Sequence, residues 1–124
     1  MLNNDFFHIV TISHDEGSLK AVIMINPSHQ IFEGHFPGQP VVPGVCMIQI
    51  VKELLATVTG EEPLLTSGDY FKFLTVLDPT KNAEVHAEIK YSENEEGQLE
   101  TVASLYHEQA TYLKLKAQFV VPAA

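Results

Sequence analysis

Arginine and tryptophan are absent from this 124-residue chain, and cysteine occurs once. All seven basic residues are lysines, set against 16 acidic ones, for a net charge of −9. That balance speaks against a nucleic-acid partner, which needs a basic stripe to displace counterions. A lone Cys46 cannot build a disulfide framework and suits a reducing compartment. No apolar run approaches the ~20 residues of a bilayer span, so no membrane partner is expected. The opening MLNNDFFHIV has no basic stretch leading into a long apolar core and does not read as a secretory signal. The expectation is one cytoplasmic domain over residues 1–124, long enough to bury roughly two thirds of its unfolded surface.

Repeats and low-complexity tracts are missing too, so the elements must be read singly. Phe6 to Ser13 and Leu19 to Asn26 are rich in strand formers and flank a polar turn cluster, which predicts a hairpin. Asn26 to Val42 reads as a long irregular connection, a length usually reserved for function. Val45 to Thr59 reads as a helix, with Pro43 near its first position and Gly60 as a stop. It is apolar nearly all round at its start, as for a helix enclosed by other structure. Ser67 to Leu77, Ala83 to Tyr91, Leu99 to His107 and Tyr112 to Val121 are strand-like, with a polar turn over Ser92 to Gln98. Strands, one enclosed helix and more strands predict an α+β domain with an antiparallel sheet around the helix.

What is present in abundance is concentrated in Gly34 to Gln49, GHFPGQPVVPGVCMIQ. Pro37, Pro40 and Pro43 forbid helix through the loop, while Gly34, Gly38 and Gly44 permit tight backbone. His35 is thereby held by stiff chain just before a helix start, with an unperturbed pKa suited to proton transfer near neutrality. Backbone N–H groups at Gly44 and Val45, at the helix N-terminus, suit a developing negative charge on oxygen.

This segment resembles the active-site motif of the 3-hydroxyacyl-acyl-carrier-protein dehydratases of bacterial fatty-acid synthesis. The resemblance runs over nearly the whole chain and implies a hotdog fold, a sheet wrapped around one central helix. It implies dehydration of 3-hydroxyacyl thioesters to trans-2-enoyl thioesters in fatty-acid or related polyketide-like lipid biosynthesis. His35 would be the base and Gly44 the donor to the thioester oxygen, with Phe36, Val42 and Val45 on the substrate side. Phe73 and Pro79 match a downstream aromatic and a turn proline, although Thr80-Lys81 replaces the usual Gly-Asp. The implied substrate is carried on acyl carrier protein or coenzyme A, the implied assembly is a homodimer or a set of dimers, and no cofactor or metal is called for.

Gln49 is the departure, since the family carries a Glu or Asp there and an amide cannot act as an acid. Glu53 lies one turn on, along the stripe of Gln49, Lys52, Glu53 and Thr57, and is the candidate replacement. Gln49→Glu is then expected to be tolerated or beneficial. Two further readings remain: an acyl-thioester-binding protein that has lost its acid, and an acyl thioesterase using Glu53 to activate water. An acidic carrier would need the lysines to cluster, the available set being Lys52, Lys72, Lys114 and Lys116. Cys46 reads as a buried apolar residue. His29 with His35 lacks the spacing of a zinc helix. His8, His14, His86 and His107 read as scattered surface residues, and Glu84 and Glu88 as solvated.

Overall fold

Alternating apolar and polar residues give each central strand one face for a core and one for water. The computed structural model describes residues 2–34 and 40–122. Its elements are β1 (Phe7–Asp15), β2 (Ser18–Ile25), α1 (Ile31–Gly34), α2 (Gly44–Thr59), β3 (Leu64–Phe73), β4 (Glu84–Glu93), β5 (Leu99–His107) and β6 (Ala110–Val120). The strands form one antiparallel sheet in the order β1-β2-β4-β5-β6-β3. Inward residues such as Leu19, Ile23, Val85, Ile89, Leu105, Leu113, Leu115 and Phe119 pack with Met47, Ile50, Val51, Leu54 and Leu55 of α2. Burying one such aliphatic side chain contributes about 1.5–3 kcal/mol, so this seam fixes how the helix lies on the sheet.

Two glycines shape the ends of elements. Gly60 closes α2 in the left-handed region at φ 87°, with its N–H on Ala56 O at 2.9 Å. Gly17 turns the first hairpin at φ 75°, and a Cβ there would meet Tyr91 O at 2.8 Å, because the turn docks against β4.

The hairpins and the helix fall where the sequence predicts, α2 starting one residue earlier at Gly44. The long connection contains the single helical turn α1, which the Gly/Pro pattern did not suggest. The strand expected over Ser67 to Leu77 is instead Leu64–Phe73. After Phe73 the chain leaves the sheet: Leu74 N–H still reaches Tyr112 O at 3.0 Å, and Leu77 O then accepts from Val42 N–H at 2.9 Å. That second bond ties the segment to the entry of α2. As the outer rung, β3 leaves Leu64 and Leu65 exposed.

Candidate active site

The start of α2, the end of β3 and the segment Leu74 to Leu77 enclose an apolar groove of about 670 Å³. Its walls include Val42, Val45, Ile48, Phe71, Phe73 and Leu77. Among the described residues that line it, no side chain is ionisable, and Thr75 carries the polar atom. The volume is that of a small-molecule pocket. Val45 and Val76 are 75% and 69% exposed, so the groove is open on one side.

Gly44 sits under the Phe73 ring. A Cβ at this position would lie 2.8 Å from Phe73 Cε1 and 2.9 Å from Cζ, closer than real contacts allow. The absence of a side chain lets the aromatic ring close over the helix start. Pro43 caps α2 without a side-chain hydrogen bond, and its carbonyl accepts the Cys46 N–H at 3.0 Å, so of the first turn it is the Gly44 and Val45 N–H groups that have no acceptor within the helix.

Farther along α2 the character changes. Val45, Gln49 and Glu53 are spaced by one turn and share a face. Gln49 Nε2 donates to Glu53 Oε2 at 2.9 Å and to Glu62 Oε1 at 2.8 Å. Both partners are carboxylates, which fixes the orientation of the amide. Lys52 Nζ lies 3.4 Å from the same Glu62 oxygen. Glu53 is 3% exposed, and its two oxygens accept the backbone N–H groups of Leu2 at 2.7 Å and Asn3 at 2.8 Å. All three partners of this carboxylate are donors. Its observed work is to hold the segment before β1 against the helix, not to pair with solvent or with a lysine.

The sequence of the chain matches the ApeI-like family profile, described as ApeI dehydratase, over residues 11–112. The chain belongs to this dehydratase family. It is 28% identical over 100 residues to the 3-hydroxyacyl-[acyl-carrier-protein] dehydratase FabZ of Clostridium acetobutylicum, a match covering 75% of this chain and 71% of that protein. The corresponding protein of Haemophilus influenzae is 33% identical over 55 residues, 44% of this chain and 37% of its own length. In fold, the chain is similar to the dehydratase heterocomplex ApeI:P from Xenorhabdus doucetiae, with a TM-score of 0.71 at 23% identity over 90% of this chain and 96% of that one. The fold is thus the hotdog arrangement, and the family is one of hydro-lyases acting on 3-hydroxyacyl thioesters.

Within this dehydratase-family chain, Gly44, Val45 and Val42 all line the groove, and Val42 is buried. His35 and Phe36 lie outside the described residues. Gln49 and Glu53 are brought together, but in a network directed at Glu62 and the first residues of the chain rather than among the groove-lining residues. Cys46 is buried, and burial pushes its thiol up, which suits a packing role. The lysines divide: Lys52 is engaged by Glu62, whereas Lys72 and Lys114 are register partners on the face away from α2.

Sequence reasoning missed one grouping. His86 and His107, read as scattered, both approach Glu84 Oε2, at 3.4 and 3.2 Å. The available signal was the Glu84/His86 spacing of two on a strand, which puts both side chains on one face.

Proposed function

We propose that this chain dehydrates a 3-hydroxyacyl thioester whose acyl chain lies in the apolar groove at the start of α2. The groove carries the reading: it is apolar, of ligand size, and borders the first turn of α2, where Gly44 lies under a closely packed aromatic ring. In the reaction His35 removes the α-proton, and the electron pair forms the Cα=Cβ bond. The β-hydroxyl departs as water with a proton from an acid, while the first-turn N–H groups at Gly44 and Val45 stabilise charge on the thioester oxygen. Carriage of the substrate on acyl carrier protein is supported by the similarity to the 3-hydroxyacyl-[acyl-carrier-protein] dehydratase of Clostridium acetobutylicum. Two copies joined at the β3 edge would close the open side of the groove.

Two sources exist for the leaving-group proton. One is Glu53, freed from Leu2 and Asn3 when substrate binds. The other is a carboxylate of a second, different chain, and the engagement of Glu53 by three donors favours it. A similar fold being a dehydratase heterocomplex supports the same reading.

Hydration of a crotonyl thioester, followed by mass spectrometry, separates the two. Turnover by the chain alone that is abolished in Glu53→Gln assigns the acid to Glu53. Turnover by the chain alone that survives this change excludes Glu53. An inactive chain, at concentrations where it is fully assembled, that gains turnover only with a second dehydratase-like subunit assigns the acid to the partner. Failure of His35→Ala to reduce turnover in the active form would overturn the proposal.

A further inference from the structure

Away from the groove, the sheet gathers three side chains with metal-binding chemistry. Glu84 and His86 alternate onto one face of β4, and His107 closes on them from the end of β5. Glu84 Oε2 lies 3.4 Å from His86 Nε2 and 3.2 Å from His107 Nε2. One ligand atom from each residue falls within 4.8 Å of the others.

These separations can be compared with a coordination sphere. Ligands at about 2.0–2.1 Å around a tetrahedral ion stand roughly 3.3 Å apart along each edge of the tetrahedron. The two edges that meet at Glu84 already have that length. The remaining edge joins the two imidazoles, whose ring centroids are 5.9 Å apart, and a modest rotation of partly exposed rings closes it. Tyr106 stacks on His86 with centroids 5.5 Å apart and planes at 30°, so the closing rotation falls to His107. In the neutral tautomer protonated at Nδ1, each Nε2 turns a lone pair toward the shared centre.

We infer that Glu84, His86 and His107 form a binding site for a divalent transition-metal ion, with water in the fourth position. Two imidazoles and one carboxylate select Zn²⁺ and its neighbours Co²⁺, Ni²⁺ and Cu²⁺ over Mg²⁺ and Ca²⁺, which prefer all-oxygen sites. The bound ion clamps the start of β4 to the end of β5. None of the three residues lines the groove, so the inference stands independently of the proposed dehydration.

The test uses the full chain without a histidine tag, stripped with chelator and desalted, titrated with ZnCl₂ by calorimetry and with CoCl₂ by visible absorption. One Zn²⁺ per chain is expected, with a four-coordinate Co²⁺ spectrum. His86→Ala and His107→Ala should each weaken Zn²⁺ at least about tenfold, a loss that even outer-shell changes produce at metal sites. His8→Ala and His14→Ala should leave it unchanged. Should a variant fail to fold, the wild type alone decides: Zn²⁺ must protect His86 and His107, but not His8 or His14, from diethylpyrocarbonate, mapped by mass spectrometry. No saturable binding, equal binding by the His86→Ala/His107→Ala double variant, or no selective protection would overturn the inference.

Discussion

Helix α2 has two ends that use the same face in opposite ways. At its start, Val45 is exposed, Gly44 lies bare under an aromatic ring and the neighbouring walls are apolar. Two turns on, Glu53 is buried and its two oxygens accept three hydrogen bonds. Among the described residues the first region is an open apolar surface, while the second is a closed set of hydrogen bonds. Resemblance to a motif would assign both regions to one catalytic site. The hydrogen bonds separate them, because a carboxylate already serving two backbone N–H groups and an amide is a structural tie until something displaces them.

The sharpest way to break this contrast is at the open end. His35→Ala should lower turnover by about 10²-fold or more with little change in melting temperature, measured on the same preparation. A matching loss of stability would instead make His35 a packing residue. At the closed end, Glu53→Ala should cost about 1–3 kcal/mol, because it leaves the Leu2 and Asn3 N–H groups without their acceptor. Denaturant titration reads the cost, and hydrogen exchange at the first residues should accelerate with it.

Gln49→Glu sharpens the contrast further. From sequence this change looks like restoration of a missing acid. In the structure it replaces two donors by an acceptor between Glu53 and Glu62, so stability should fall by about 1 kcal/mol or more. A variant as stable as wild type would show that the network is dispensable. The smallest effect is expected for Gly44→Ala. Its Cβ would press on Phe73, whose half-exposed ring can shift, so kcat/KM should drop several-fold while the melting temperature moves by a few degrees at most.

Most of the fold was legible because its signals are local. The helix is bracketed by Pro43 and Gly60, and Val85 to Ile89 alternate cleanly, so α2 and β4 appear where expected. The exit of the chain after Phe73 was not legible. Leu74 to Leu77 has strand composition, yet it leaves the sheet and Leu77 O bonds instead to Val42 N–H, far away in sequence. Three of the groove residues, Val42, Gly44 and Val45, could be named from the Gly/Pro motif, whereas the tie on Glu53 reaches across 51 positions to Leu2. The Glu84, His86 and His107 cluster was hidden for the same reason: its third member is on another strand, and only strand register brings it in.

The reach of the Glu53 carboxylate also has a kinetic consequence. Helix α2 can wind from local contacts, but its buried acid stays in water until a segment 50 positions distant docks on it. Closing so long a loop is slow to be rewarded and belongs late in folding. Contacts made after the rate-limiting barrier slow unfolding without speeding folding. The first residues of the chain therefore act as a latch on the finished molecule: Glu53→Ala should unfold faster in stopped-flow while refolding at the wild-type rate.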